Sequence, residues 1–224
     1  MMKPNRARAL LSPAAGLMLL AALATGAAAQ ERTMAHAHMG HVMAGWQDTP
    51  DGQGLLPAAI AEADIALQHA GLAARDPSDL QAMQAHAGHV LHALAPTRVD
   101  AGPGLGYGLI KAAKAAAQHV SLAAQADSAT AAIEAHSTHV GTALDNVAGW
   151  SERAAGLAES IRGASDPAAA AEAVSDLAEI TEWIRNGRDA DGDGRASWQE
   201  GEGGLAQARR HMQLMYEAED LSLE

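Results

Sequence analysis

The segment ALQHAGLAARDPSDLQAMQAHAGHVLHAL, residues 66–94, has a counterpart fifty residues later, AAQHVSLAAQADSATAAIEAHSTHVGTAL, residues 116–144. About half of the aligned positions are identical. Three histidines in the first segment recur in the second with both internal spacings unchanged: His69, His86 and His89 return as His119, His136 and His139. Each segment has the pattern of a helical hairpin, so the repeat predicts two hairpins packed side by side as a four-helix bundle.

Composition supports an all-α fold. The chain is rich in alanine, the best helix former, and contains no phenylalanine. The runs Asp76–Asp79 and Asp166-Pro167 combine a capping residue with proline, which predicts the starts of two helices, and Pro96 predicts a helix end. We therefore predict a bundle of helices that approach one another closely over small side chains.

The first 29 residues have the pattern of a secretory signal peptide. A basic start precedes a short apolar run, Leu17–Leu23, and Ala27–Ala29 supplies the small residues of a cleavage site. The run is shorter than the about 20 residues that a membrane-spanning helix needs, although an uncleaved anchor is the alternative. We expect a secreted, periplasmic chain that begins at Gln30 and has no membrane segment.

Charge and cysteine content exclude several kinds of function. Removing residues 1–29 takes away three basic side chains and no acidic one, so the formal net charge of −12 becomes −15. Such a surface repels phosphate backbones, which argues against nucleic-acid binding. Because the chain has no cysteine, neither disulfides nor thiolate metal sites are available. Packing, bound ions or both must supply the stability.

The histidine spacing within a hairpin suits a shared ion. His86 and His89 are three residues apart, so both lie on one face of a helix with Cβ atoms about 5–6 Å apart. His69 lies on the preceding antiparallel helix at a similar distance from the turn, so the three rings share one level. The second hairpin repeats this arrangement around a turn near Asp127. We predict one three-histidine cluster in each hairpin.

A third histidine set is suggested by AHMGHV, residues 37–42, which matches AHAGHV, residues 85–90. His38 and His41 then repeat the three-residue spacing, and His211 on the last predicted helix is the candidate to complete the set. Three methionines are interleaved with the histidines of this segment: Met34, Met39 and Met43. Thioether sulfur prefers Cu(I), but methionine is equally a flexible filler of cores.

Several ligands fit three neutral imidazoles. Zinc, copper, nickel and iron all accept them with a fourth position left open, and we favour copper or zinc. The alternative is a non-covalent haem for electron transfer or sensing, with axial ligands among the six repeated histidines, although the chain supplies few of the bulky walls that a haem pocket has. Catalysis at an open site needs a general base, and Glu134 is the one candidate, so binding is favoured over catalysis.

Gene duplication also copies histidines that have no task, so the two repeats amount to one observation. Under this interpretation the histidines are polar residues of the surface or core. However, His92 is replaced by Thr142 in the second copy, which indicates that histidines are lost here when nothing retains them. We therefore prefer a role as ligands.

The segment DADGDGRASWQE, residues 189–200, resembles the calcium-binding loop of EF-hand proteins. The resemblance covers about thirty residues and implies a helix–loop–helix unit that binds calcium. Its implied ligands are three carboxylates, a backbone carbonyl, a water-bridged hydroxyl and a bidentate carboxylate, in the order Asp189, Asp191, Asp193, Arg195, Ser197 and Glu200. Two departures are Ala196 at the usual branched apolar position and three glycines just after the loop. A single unpaired loop implies weak, structural calcium rather than signalling.

Together these patterns predict three parts of the chain. They are a signal peptide (1–29), a histidine-rich bundle with an internal repeat at about 54–94 and 104–144 (30–165), and an EF-hand-like helix pair packed on the bundle (166–224). We predict a secreted protein that holds copper or zinc in histidine clusters. A calcium-stabilised interaction module with no transition metal is a further alternative, and no protein partner can be named.

Overall fold

The computed structural model describes residues 32–222, and the predicted signal peptide therefore lies outside the described residues. The described part is all-helical, as predicted, and it contains two short 3₁₀ turns, Pro50–Gly52 and Pro96–Arg98. Its α-helices are α1 (Met34–Met43), α2 (Leu55–Ala73), α3 (Leu80–Leu94), α4 (Leu109–Gln125), α5 (Ala131–Gly163), α6 (Pro167–Asn186) and α7 (Leu205–Ala218). None of the described helices is both long and apolar enough to cross a membrane.

Side-chain caps fix where several helices begin. Asp79 accepts a hydrogen bond from the backbone N–H of Ala82 at 2.9 Å, and Asp166 accepts one from Ala169 at 3.0 Å. Both caps satisfy backbone donors that the first helical turn leaves free. Asp166 is the predicted cap, with Pro167 at the first helical position, whereas α3 starts three residues later than predicted, because Pro77 lies in the turn before it and Asp79 is the cap. Thr33 and Thr130 cap α1 and α5 in the same way.

The two repeated hairpins form the core of the bundle. Helix α2 packs against α3 and α4, and α5 packs against α4 and α3, which confirms the four-helix arrangement. Alanines line much of the buried seam, including Ala63, Ala66 and Ala70 of α2, so the helix backbones approach closely. Helix α1 packs on α4, α6 packs on α2 and α5, and α7 packs on α5. Residues 32–222 belong to one compact unit.

A buried carboxylate fixes the glycine-rich connection before α4. The side chain of Glu62 is fully buried and accepts backbone hydrogen bonds from Tyr107 and Gly108 at 3.0 Å and from Leu105 at 3.1 Å. Gly108 has a φ of 89°, a conformation that other residues rarely adopt, and this lets the connection wrap around the carboxylate. Glu62 thus ties α2 to the start of α4.

A second buried polar group aligns three helix ends. His36 of α1 contacts Glu219 at 3.0 Å between Nε2 and Oε2, and the Thr130 hydroxyl donates to the other carboxylate oxygen. Burial alone would raise the pKa of Glu219, but the hydrogen bonds from Thr130 and His36 lower it below its usual value. This group holds the start of α1, the start of α5 and the end of α7 at one end of the bundle.

Candidate metal centre

The structure gathers nine histidines into three clusters of three. Cluster A contains His38, His41 and His119; cluster B contains His69, His86 and His89; and cluster C contains His136, His139 and His211. In each cluster one ring nitrogen from each residue lies within 4.8 Å of the others, and all nine side chains are partly exposed. Each cluster pairs a His-x-x-His helix with a helix that supplies one histidine: α1 with α4, α3 with α2, and α5 with α7.

The three clusters share one geometry. In cluster A, Nδ1 of His119 lies 3.0 Å from Nδ1 of His38 and 3.4 Å from Nδ1 of His41. The corresponding distances from the single histidine are 3.0 and 3.3 Å in cluster B and 3.1 and 3.3 Å in cluster C. The same ring atom, Nδ1, therefore points to the centre of the cluster in every case.

These distances match the spacing of ligands around one ion. A tetrahedral ion with metal–nitrogen bonds of about 2.0–2.1 Å separates its nitrogen ligands by about 3.3 Å. A cation at the centre would accept a lone pair from all three Nδ1 atoms at once. Each ring would then carry its proton on Nε2, and a fourth position would remain open. The three histidines of each cluster could therefore hold one metal ion.

The surroundings keep several of these rings neutral, which is the form that binds a metal. Burial, assisted by the nearby His139 and His136, lowers the pKa of His211 to about 4. Burial and neighbouring histidines also lower the pKa of His119 and His69 below the ordinary value of 6.5. The single histidine of every cluster is therefore uncharged at neutral pH.

The predicted grouping of the histidines is correct for cluster B and wrong for the other two. The spacing placed His119 with His136 and His139, and left His211 to join His38 and His41. Instead, His119 joins the pair on α1, and His211 joins the pair on α5. Every histidine proposed as a ligand from the sequence is in a cluster, including those of the third set. However, the second hairpin does not form a cluster from its own three histidines.

The neighbours of the two helices explain why the two hairpins differ. The buried positions of α2 recur fifty residues later in α4, as Ala66 and Ala116 show, so His69 and His119 stand at the same place relative to the core. Helix α1 packs on α4 and carries the pair, His38 and His41, that His119 meets. Helix α7 packs on α5 and carries His211, which meets the pair on α5.

Two tryptophans contact the clusters and were not predicted. The Trp46 ring lies 4.8 Å from the ring of His41 and 4.7 Å from that of His119, between ring centroids. The Trp198 ring stacks on His139 with a centroid distance of 4.0 Å and an interplanar angle of 23°. Trp46 follows His41 by five residues, but Trp198 lies in the acidic loop, and its contact depends on tertiary packing alone.

The remaining histidines and the methionines have other places. His36 pairs with Glu219, and Nδ1 of His92 lies 2.9 Å from the carbonyl oxygen of Pro103. Met39 is 1% exposed within the core, and Met34 is 65% exposed. Met39 therefore fills the core, which is the second of the two roles considered for the interleaved methionines.

The loop between α6 and α7 brings part of the predicted calcium site together. Carboxylate oxygens of Asp189, Asp191 and Asp193 lie within 4.8 Å of one another, and all three residues are exposed. Glu200 is exposed and is not part of this group. The helix expected to leave the loop starts only at Leu205.

A different carboxylate faces the backbone of this loop. Glu202 is 5% exposed and accepts backbone hydrogen bonds from Ser197 at 3.0 Å and from Ala190 at 3.4 Å. Hydrogen bonding from Ser197 lowers the pKa of Glu202, so it is ionised at neutral pH. Arg195 is exposed, and its backbone N–H bonds to the Asp193 side chain at 2.8 Å. Sequence reasoning missed Glu202 because it lies two positions beyond the end of the motif.

No family model, curated protein or solved structure matches this chain. We therefore infer function from the geometry of the clusters.

Proposed function

We propose that this protein binds three transition-metal ions, one in each histidine cluster, and serves to sequester, deliver or buffer them. The observation that carries this proposal is the threefold repetition of one geometry. In all three clusters a single histidine lies 3.0–3.4 Å, between Nδ1 atoms, from both members of a His-x-x-His pair. Similar sites in several copies favour binding capacity over catalysis.

The donor set favours copper or zinc. Three imidazole nitrogens with an open fourth position suit Zn²⁺ and copper, whereas calcium and magnesium prefer oxygen. A neutral donor set leaves the charge of the ion uncompensated within the cluster, and the acidic surface, with a formal net charge of −12, offsets it at long range. Partial exposure of the rings leaves a route for the ion to enter.

The geometry fits a haem less well. Axial histidines on opposite faces of a haem hold their nitrogens about 4 Å apart, twice a metal–nitrogen bond, with the porphyrin plane between them. The central contacts between Nδ1 atoms here are 3.0–3.4 Å, and a third nitrogen faces the same point. A porphyrin would have to separate these rings, so the haem alternative requires a rearranged site.

A calcium ion bound to the acidic loop is the second part of the proposal. The resemblance to the EF-hand loop and the grouped carboxylates of Asp189, Asp191 and Asp193 support it. Weak structural binding is expected, since the loop is exposed and α7 begins late. The signal-peptide pattern adds a secreted, periplasmic location to the proposal, in which both metals would be acquired outside the cytoplasm.

Elemental analysis tests the transition-metal proposal directly. The chain without a histidine tag is stripped with a chelator, loaded with zinc or copper, passed through a desalting column, and assayed for protein and metal. We expect three ions per chain for wild type and two for the His86→Ala/His89→Ala variant. His92→Ala is the matched control, since His92 lies on the same helix outside the cluster, and it should retain three ions.

Other outcomes of this assay point to the alternatives. A Soret band in the purified protein would favour haem. Zero ions for zinc and copper, with no Soret band after haem addition, would refute the ligand role and leave the interaction module. Calcium is assayed separately by calorimetry with an Asp189→Asn/Asp193→Asn variant. Calcium heat that is unchanged in this variant would refute calcium binding at the loop.

A further inference from the structure

The three clusters differ in what covers them. Cluster A contacts Trp46, and cluster C contacts Trp198. Within residues 32–222, the ring contacts of His69, His86 and His89 are with one another only. The metal-binding geometry is thus repeated three times, but the aromatic support is present only twice.

Both indoles are held by their own surroundings. The backbone N–H of Trp46 donates to the carbonyl oxygens of Gly52 and Gln53 at 3.1 Å, and its side chain packs against the core. The loop that carries Trp198 is clamped by Asn146 of α5, which donates to Gln199 at 2.9 Å and accepts from Gly201 at 2.9 Å. The backbone that carries each indole is therefore tied to a neighbouring segment.

An indole packed against a histidine ring affects how an ion leaves the cluster. A three-histidine site releases its ion stepwise, and each step requires one imidazole to turn away from the metal. Trp46 contacts rings from both helices of cluster A, and Trp198 covers the face of His139. Turning those rings breaks aromatic contacts, whereas the rings of cluster B turn without this cost.

We infer that the clusters are unequal in exchange: Trp46 and Trp198 are positioning residues that make clusters A and C retain their ions, and cluster B exchanges its ion rapidly. This inference rests on the proposed function. One site would then serve for uptake and transfer, and two would hold a reserve. One aromatic contact of this kind slows release by roughly two- to twelvefold.

Chelator competition on the zinc-loaded full chain tests the inference. A chromogenic chelator in excess is mixed with protein that carries three zinc ions, and release is followed by absorbance. We expect one ion per chain in a fast phase and two in slower phases. The His69→Ala variant should lose the fast phase and keep the slow ones. Release of all three ions in one phase, or a fast phase that survives in His69→Ala, would overturn the inference.

Substitution of Trp46 and Trp198 tests whether their indoles slow the release of zinc. Trp46→Ala and Trp198→Ala should each move one ion from the slow to the fast phase, and the Phe variants should restore slow release because they replace the aromatic wall. Trp183→Phe is the matched control, since that ring contacts Trp150 and Arg188 away from the clusters. Ala variants that bind three ions and still release two slowly would contradict the assignment.

The outcomes separate this inference from the proposed function. If wild type binds no zinc or copper, the proposed function itself fails. If three ions bind but leave together, only the inequality of the clusters fails. If an Ala variant does not fold, as shown by circular dichroism, the wild-type phases, the His69→Ala result and the Phe variants still decide the question.

Discussion

Two double substitutions distinguish the observed histidine grouping from the one suggested by the sequence repeat. His38→Ala/His119→Ala removes two ligands from cluster A and leaves clusters B and C complete. His119→Ala/His136→Ala removes one ligand from cluster A and one from cluster C. The first variant should therefore bind two ions and the second only one. If each hairpin formed its own cluster, the two counts would be reversed.

The loss of metal expected in each variant follows from the number of nitrogen ligands left in a cluster. Each cluster offers three nitrogens around one point, so losing one leaves two, which is too few to hold an ion in the chelator-buffered assay. Changes to groups that merely orient a ligand already weaken metal binding by about 10- to 100-fold, and direct loss of a ligand should cost more. Free zinc buffered about tenfold above the wild-type Kd therefore separates filled from damaged clusters.

Thermal stability gives an independent reading of the same variants. An ion that binds only the folded chain stabilises it by about 2.7 kcal/mol at 100 times its Kd. Each filled cluster should thus raise Tm by roughly 5–10 °C in a chain of this size. We expect zinc to raise the Tm of the first variant by about twice as much as that of the second. Equal zinc-dependent shifts, together with equal ion counts, would refute the grouping.

Three further predictions concern pH, fluorescence and a buried carboxylate. Because the pKa of His211 is about 4 in the folded chain and about 6.5 when unfolded, the unfolded state binds more protons between these values. The metal-free protein should therefore lose stability as pH falls from 6.5 to 4 in urea titrations, and a flat profile would contradict the burial of this ring. Cu²⁺ should quench the fluorescence of Trp46 and Trp198, which contact clusters A and C. The remaining fluorescence of the Trp46→Phe/Trp198→Phe variant should change little on addition of Cu²⁺. Strong quenching in this variant would indicate that copper binds outside clusters A and C. Glu62→Gln should cost about 1–3 kcal/mol in unfolding free energy, since the amide cannot accept all three backbone hydrogen bonds as a carboxylate does, and an unchanged midpoint would contradict this role.

The helices of this protein could be predicted from local sequence. Alanine content predicted the all-α class. Asp166-Pro167 located the start of α6, and the run Asp76–Asp79 located the start of α3 to within three residues. Capping depends on residues within one turn of the helix end, so it can be predicted without tertiary information. The candidate ligands could be predicted too. The spacing of a His-x-x-His pair places both rings on one helix face, whatever the helix packs against.

Tertiary structure decided which helices meet at each cluster. His69 and His119 occupy the same position in the repeat, yet one ring meets α3 and the other meets α1, because α1 packs on α4. The contact of Trp198 with His139 depends on how the acidic loop folds over α5, and nothing near Trp198 in the sequence predicts it. The sequence alone thus predicted the helices and the nine candidate ligand histidines, since these depend on neighbours within a few residues. The division of the ligands into three sites depended on packing between distant segments, which only the folded structure specifies.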